Sequence, residues 1–278
     1  MIHFVGAGCG AADLITLRGK ALLEQADVIV YAGSLVNPAL LDYKKDGCRV
    51  YDSAKMTLEE VLSVMFEAEA QGLTTVRLHT GDPCLYGAIR EQMDELDRRG
   101  IPYDYCPGVS AFSGAAAALK MEYTLPEVSQ SVIITRMAGR TPVPERESVR
   151  AFAAHGATMV LFLSAGLLEA TQAELLAGGY SPYTPAAIVY KASWPDEKTC
   201  LCTVSTLAAC ARVPMHQTQW GPERPLPPPV SLASQSHHEK PPEVTCTSRG
   251  TPGCPASTRE RPRETFFNTS RGQIPLLP

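Results

Sequence analysis

The sequence lacks the features that would assign it to a membrane, to secretion or to nucleic acid. Its 278 residues contain no apolar run that reaches the roughly 18 residues of a membrane-spanning helix. The N-terminus has no basic stretch followed by an apolar run and a cleavage site. The net charge of −4 predicts no basic surface for nucleic acid. We therefore expect a cytoplasmic protein that binds neither membranes nor nucleic acid.

Two common nucleotide-binding motifs are also missing. No Gly-Lys-Ser/Thr occurs, which excludes a P-loop phosphate site. The first glycines, Gly6, Gly8 and Gly10, follow the spacing Gly-x-Gly-x-Gly rather than the Gly-x-Gly-x-x-Gly of dinucleotide-binding proteins. Asp27 precedes the second predicted strand, whereas the acidic residue of that motif follows it. A nicotinamide-dependent enzyme is therefore disfavoured, although not eliminated.

The cysteine pattern predicts neither disulfides nor a metal centre. The nine cysteines are scattered and odd in number, unlike a disulfide framework. Cys200 and Cys202 form a single C-x-C pair, whereas structural zinc takes four ligands. We expect buried free thiols, which a cytosolic protein keeps reduced, and no metal.

Residues 1–115 predict an N-terminal α/β domain, because strand and helix patterns alternate along them. Such alternation is typical of a mostly parallel sheet. Thr57 and Glu60 have the spacing of a capping box at the start of one helix. The predicted strands are residues 2–5, 28–31, 75–78 and 102–106, and the predicted helices are residues 16–25, 57–71, 88–99 and 110–119.

Three glycine-containing loops follow strands of this domain. They are Gly6-Ala7-Gly8-Cys9-Gly10, Thr80-Gly81-Asp82-Pro83 and Pro107-Gly108-Val109-Ser110-Ala111. Glycine allows positive φ and the close approach of a ligand to the backbone. Ligands of parallel α/β sheets bind at the carboxyl ends of the strands, where all three loops fall. We therefore predict that the loops form one binding site.

The remaining chain divides into two parts of different composition. Residues 120–211 predict a second α/β domain, with strands at 131–136, 158–164, 186–191 and 199–205 and helices at 144–155 and 167–178. Residues 212–278 hold more than half of the 23 prolines and no apolar periodicity, which predicts a disordered tail.

In combination, these motifs resemble those of the tetrapyrrole methylases, and most closely the carbon-11 branch of cobalamin synthesis. The resemblance covers residues 1–210 and rests first on the three loops. Further matches are Asp13-Leu14-Ile15-Thr16-Leu17-Arg18-Gly19, Tyr31-Ala32-Gly33-Ser34-Leu35-Val36, the stretch from Thr135-Arg136 to Glu145, and Tyr190-Lys191-Ala192-Ser193-Trp194-Pro195-Asp196-Glu197.

The resemblance implies two α/β domains with S-adenosylmethionine in the cleft between them, usually in a homodimer. It implies methyl transfer to carbon 11 of precorrin-4 or cobalt-precorrin-4. The implied cofactor contacts are Gly8, Cys9, Gly81, Asp82, Leu85, Ser110, Ala111, Leu163 and Ala192. Arg136, Arg140 and Lys191 are our choices to bind the polycarboxylate substrate. Asp82, Tyr86 and His79 are candidates for a general base by location alone.

Two alternatives stay open at this point. The chain could be another tetrapyrrole methylase, such as a uroporphyrinogen-III methyltransferase, although residues 31–36 and 191–197 argue against this. It could also bind the cofactor without catalysis. The family continues past residue 211 into a helix and an apolar strand, whereas this chain becomes proline-rich. Our hypothesis is a change of reading frame near residue 211, which would leave the second domain incomplete and less stable.

Overall fold

The structure of the chain is a computed structural model that describes residues 1–210, except for the side chain of Ser34. The predicted tail of residues 212–278, and the hypothesis of a changed reading frame, lie outside these residues. No helix within them is long and apolar enough to cross a membrane.

The N-terminal part contains one parallel sheet of five strands. The strands are β1 (Ile2–Gly6), β2 (Val28–Tyr31), β3 (Arg49–Asp52), β4 (Thr75–His79) and β5 (Tyr103–Cys106). Their order is β3-β2-β4-β1-β5, and every pair is parallel. The predicted parallel sheet is confirmed. Strand β3 was not predicted, because it is short and both its end residues are charged.

Four helices flank this sheet at positions close to those predicted. They are α1 (Leu17–Gln25), α2 (Leu58–Ala70), α3 (Arg90–Arg98) and α4 (Ala111–Leu119). The capping box of Thr57 and Glu60 is present at the start of α2. Alternate residues of each strand point to opposite faces, so that Val5 and Ile29 enter one apolar cluster while Phe4 and Val30 enter another. The sheet is therefore buried on both faces.

Within the described residues, the C-terminal part contains two strand pairs. Strands β6 (Val132–Arg136) and β7 (Thr158–Phe162) are parallel, and strands β8 (Pro185–Tyr190) and β9 (Lys198–Thr203) are antiparallel. Helices α5 (Val149–Ala153), α6 (Leu168–Ala177) and α7 (Leu207–Cys210) accompany them. The helix predicted from residue 144 was too long, because residues 145–147 form a 3-10 turn and α5 begins after its cap, Ser148. The proposed domain boundaries stay a prediction.

The expectation that all cysteines are free was wrong for one pair. Cys200, on β9, forms a disulfide with Cys210, at the end of α7. The chain turns back after β9, which brings the two Cα atoms to 6.4 Å, a separation that a disulfide can span. Cys202 and four other described cysteines are free.

Candidate functional site

The three predicted loops meet at one edge of the parallel sheet. Strand β1 lies between β4 and β5, so the loops that follow these strands are neighbours at their carboxyl ends. We call them the first bend (residues 6–10), the second bend (residues 80–83) and the third bend (residues 107–111). Sequence alone could place each bend at the end of a strand, but the strand order brings them together.

Glycine allows the three bends to touch through their backbones. The N–H of Gly8 donates to the carbonyl of Gly81 at 3.2 Å, and the N–H of Gly81 donates back to the carbonyl of Gly8 at 2.9 Å. A Cβ on Gly6 would lie 2.6 Å from the Cα of Gly108 and 2.7 Å from the carbonyl oxygen of Gly81. Only hydrogen fits at Gly6, which therefore faces protein rather than a ligand. Gly8 and Gly81 have φ of +81° and +62°, a region that favours glycine.

Asp82 holds the second bend to the third. Its Oδ2 accepts a hydrogen bond from the N–H of Gly108 at 2.9 Å, and its Oδ1 accepts from the N–H of Cys84 at 2.9 Å and from the Tyr105 hydroxyl. Burial alone would raise the pKa of the Asp82 carboxyl, but these hydrogen bonds outweigh it and the pKa lies below its ordinary value. Asp82 is therefore an ionised carboxylate with three protein donors. The N–H of Leu85 donates to the Asp82 carbonyl and continues the same turn.

The third bend leads into the N-terminus of α4. Ser110 is the N-cap and is buried, yet its side chain makes no capping hydrogen bond. Ala111 begins the helix, and its N–H nitrogen would lie 3.4 Å from a Cβ on Gly81. A helix N-terminus carries partial positive charge and free N–H groups, which suit a carboxylate. This end of α4 therefore offers polar groups directly beside the second bend.

The first bend also touches the C-terminal part of the chain. Cys9 and Ala192 are both buried, and a Cβ on Gly114 in α4 would lie 2.8 Å from the Cys9 Sγ and 3.3 Å from the Ala192 Cβ. A Cβ on Gly10 would lie 2.4 Å from the Ala192 carbonyl oxygen. The structure thus brings together Cys9 and Ala192, which are far apart in the sequence.

Tyr86 and Leu163 occupy the exposed side of this region. Both have positive φ, +57° for Tyr86 and +52° for Leu163, a conformation that costs free energy in residues other than glycine. Leu163 is 71% exposed although it is apolar. The Tyr86 ring packs against Phe162, the neighbour of Leu163, with ring centroids 5.5 Å apart. Strained and exposed apolar residues at one place are typical of a binding surface.

Neither His79 nor Tyr86 has the pKa expected of a general base. His79 is buried, and burial together with the charge of Arg77 lowers its pKa to about 3. Burial raises the pKa of the Tyr86 phenol. At neutral pH, His79 is therefore uncharged and buried at the end of β4, and Tyr86 keeps its proton.

The three predicted substrate-binding cations have different surroundings. The Arg136 guanidinium donates to the carbonyl oxygens of Met137, Thr141 and Pro142 at 3.0–3.2 Å, and so organises the loop after β6. Arg140 lies exposed in that loop. Lys191 forms an ion pair with Asp196 at 2.7 Å, and this hydrogen bond raises its pKa. Arg136 thus shapes the loop that carries Arg140.

Sequence reasoning missed three side chains that organise the site. The Tyr105 hydroxyl binds Asp82, the Asn37 amide donates to the carbonyl of Gly10 at 2.9 Å, and the Ser193 hydroxyl accepts from the N–H of Ala11 at 2.9 Å. Each contact joins segments distant in sequence, so no local pattern reports it. These three residues can be identified only in the folded structure, where they lie next to the glycine loops.

A family model described as tetrapyrrole (corrin/porphyrin) methylases matches residues 1–208. A cobalt-precorrin-4 C(11)-methyltransferase of Methanocaldococcus jannaschii is 54% identical over 207 residues, which cover 74% of this chain and 80% of that protein. A precorrin-4 C(11)-methyltransferase of Mycobacterium tuberculosis is 47% identical over 209 residues, 75% of this chain and 83% of the relative.

Solved structures show the same likeness. The X-ray structure of a cobalt-precorrin-4 methyltransferase of cobalamin biosynthesis has a TM-score of 0.75 and 45% identity, and the match covers 78% of this chain and 91% of the other. A uroporphyrin-III C-methyltransferase of Thermus thermophilus, complexed with S-adenosylhomocysteine, has a TM-score of 0.64 and 26% identity over 75% of this chain and 90% of the other. The predicted family resemblance and α/β fold are confirmed.

Proposed function

Because the chain belongs to the tetrapyrrole methylase family, we propose that it transfers a methyl group from S-adenosylmethionine to carbon 11 of precorrin-4 or cobalt-precorrin-4. The names of the relatives at 54% and 47% identity support this substrate, and they include both forms of the macrocycle. The uroporphyrin-III enzyme, at 26% identity, gives weaker support to the alternative substrate.

One observation of the structure carries the proposal: three glycine-containing bends and the N-terminus of α4 converge at the carboxyl edge of β4, β1 and β5. Ser110 is a buried residue whose hydroxyl does not cap its helix, and this hydroxyl and the N–H of Ala111 fit the polar groups of an amino-acid moiety. The cofactor, when bound, supplies an electrophilic methyl group on a sulfonium. The residues that would hold it are Gly8, Cys9, Gly81, Asp82, Leu85, Ser110, Ala111, Leu163 and Ala192.

The chain's own residues act by positioning rather than by moving a proton. Asp82 is ionised and bound to three donors, so that it fixes the second and third bends. Tyr86 keeps its proton at neutral pH and presents its ring beside Phe162. Holding the reacting groups in line lowers the barrier to such a displacement, because the cost of orienting them is already met on binding.

A polycarboxylate substrate requires local positive charge on a protein of net charge −4. We propose that Arg140 contacts the substrate carboxylates, since its planar guanidinium suits them and it lies exposed. We propose that Arg136 and Lys191 also add positive charge for the substrate carboxylates. Arg136 at the same time holds the loop after β6, and Lys191 pairs with Asp196. A homodimer and a cytoplasmic location stay predictions, the first from the family resemblance and the second from the sequence.

A turnover assay tests the proposal. The purified full-length chain is incubated with S-adenosylmethionine and precorrin-4, cobalt-precorrin-4 or uroporphyrinogen III, and products are identified by mass spectrometry and NMR. We expect one methyl group at carbon 11 of a precorrin-4 form. Methylation of uroporphyrinogen III alone would support the alternative enzyme. Cofactor binding without any product would support the catalytically impaired form.

A further inference from the structure

A tight turn after β8 presents Ser193 toward the first bend. The turn spans residues 191–197 and is held by hydrogen bonds from the N–H of Trp194 to the Lys191 carbonyl and from the N–H of Glu197 to the Trp194 carbonyl, both 3.0 Å. The N–H of Ser193 donates to the Glu197 carboxylate at 2.5 Å. These bonds fix Ser193 at φ +64°. Glycine would adopt this φ without strain, so a serine here indicates a use for its side chain.

The Ser193 hydroxyl reaches across 182 residues of sequence to the first bend. Its Oγ accepts a hydrogen bond from the N–H of Ala11 at 2.9 Å and lies 3.4 Å from the Sγ of Cys9. One side chain thus contacts both residues that flank Gly10. The contact is partly buried, and hydrogen bonds of this kind are stronger away from bulk water.

Gly10 itself leaves no space between the bend and the turn. A Cβ there would lie 2.4 Å from both the Ala192 carbonyl oxygen and the Trp194 Cδ1. On its other side, the Gly10 carbonyl accepts from the Asn37 amide at 2.9 Å. The backbone from Cys9 to Ala11 is therefore held by Asn37 on one side and by Ser193 on the other.

From this geometry we infer that Ser193 is a positioning residue that holds Cys9 and Ala192 in register for the cofactor. The inference rests on the proposed function, because it assigns these two residues to the cofactor site. Ser193 itself contacts the bend rather than the reacting atoms. Loss of its hydroxyl frees the N–H of Ala11 and lets the first bend move relative to the turn.

The first test is backbone hydrogen exchange without any ligand. Ser193→Gly removes the hydroxyl and also the strain, so the variant is expected to fold. Ser193→Ala removes the hydroxyl alone. Glu127→Gly is the matched control, since Glu127 has φ +63° in the exposed turn between Leu125 and Ser129. We expect faster exchange in peptides that contain residues 9–11 for both Ser193 variants and wild-type exchange there for the control. Unchanged exchange in Ser193→Gly would overturn the inference.

The second test is binding of S-adenosylhomocysteine by calorimetry, followed by kinetics with S-adenosylmethionine. Loss of one partly buried hydrogen bond predicts a Kd about five- to tenfold higher for both Ser193 variants. KM for the cofactor should rise by a similar factor while kcat at saturation changes less than about twofold, as expected for lost uniform binding. Wild-type Kd and KM in both variants would contradict the inference. If wild-type protein binds no S-adenosylhomocysteine, the proposed function fails, and the exchange experiment still decides whether Ser193 fixes the bend.

Discussion

The carboxylate of Asp82 accepts a hydrogen bond from the backbone N–H of Gly108 at 2.9 Å and so joins the loops that follow β4 and β5. Asp82 follows a strand and precedes a proline, and in such a position an aspartate side chain often forms hydrogen bonds only within its own turn. It does serve that turn, through the N–H of Cys84, but it also reaches the third bend and Tyr105. Asp82 thus sets the spacing between two of the three bends.

Replacing this carboxylate should loosen the site. Asp82→Asn puts an amide NH₂ opposite one of the three donors and leaves that donor unsatisfied. We expect a loss of about 1–3 kcal/mol in the free energy of unfolding, the cost of an unsatisfied polar group, and weaker binding of S-adenosylhomocysteine. Urea unfolding and calorimetry measure the two effects. Asp46→Asn, at an exposed position, makes the same charge change and should alter neither; equal effects in both variants would refute the role of Asp82.

The contribution of Asp82 should also depend on pH. Its folded-state pKa is below the ordinary value of 3.8, because its hydrogen bonds outweigh the effect of burial. A depressed carboxyl pKa gives stability that is fully present above 3.8 and is lost as the pH falls through the folded pKa. The difference in unfolding free energy between wild type and Asp82→Asn should therefore be constant near neutrality and shrink on acidification below 3.8. A difference that grows on acidification would contradict this.

Gly10 should tolerate no side chain. Gly10→Ala places a Cβ 2.4 Å from the Ala192 carbonyl oxygen and from the Trp194 ring, so the first bend and the turn must separate. We expect a destabilisation of about 1–3 kcal/mol, as for other overpacked sites. Gly166→Ala is the control for thermal unfolding, since a Cβ on Gly166 would meet no described atom within 4 Å and its φ is not positive. A melting temperature lowered equally by both changes would argue against a specific close contact.

Tyr86 should act through its ring rather than its hydroxyl. The phenol pKa is raised by burial, so the group remains protonated at neutral pH. Tyr86→Phe keeps the contact with Phe162, and we expect kcat to fall less than about tenfold, whereas loss of a general base costs about 10²–10⁴-fold. Tyr86→Ala, which also removes the ring, should raise KM for the tetrapyrrole. A loss of kcat beyond about 10²-fold in Tyr86→Phe would instead indicate that the Tyr86 hydroxyl acts as a general base.

Substitutions of Arg140 and Arg136 should distinguish substrate binding from the structure of the loop after β6. Arg140→Ala removes an exposed cation and should raise KM for the tetrapyrrole without changing the Kd for S-adenosylhomocysteine. Arg136→Ala removes the donors to Thr141 and Pro142 as well, so thermal stability should also decrease. Steady-state kinetics and thermal unfolding check both expectations. An unchanged KM for the tetrapyrrole in Arg140→Ala would show that Arg140 does not bind the substrate.

The parallel sheet could be predicted from the sequence because strand and helix patterns alternate and because β1 and β2 are short, mainly apolar runs. The sequence did not predict β3, whose residues Arg49 and Asp52 mask its pattern, or the 3-10 turn before α5. The glycine loops were recognisable, but the reasons for individual glycines were not. Gly6 and Gly10 accommodate other backbone segments, and those neighbours come from distant parts of the chain. The disulfide of Cys200 likewise depends on a chain reversal that no spacing reports.

Titration of the full-length chain with S-adenosylhomocysteine tests most directly whether the three bends form a cofactor site. Wild-type protein should bind saturably at one site per chain. Gly108→Ala, whose Cβ would lie 2.3 Å from the Gly81 carbonyl oxygen and push the second and third bends apart, should bind much more weakly while circular dichroism shows it folded. Folded wild-type protein that releases no binding heat, or Gly108→Ala protein that binds as tightly as wild type, would show that the bends do not build this site.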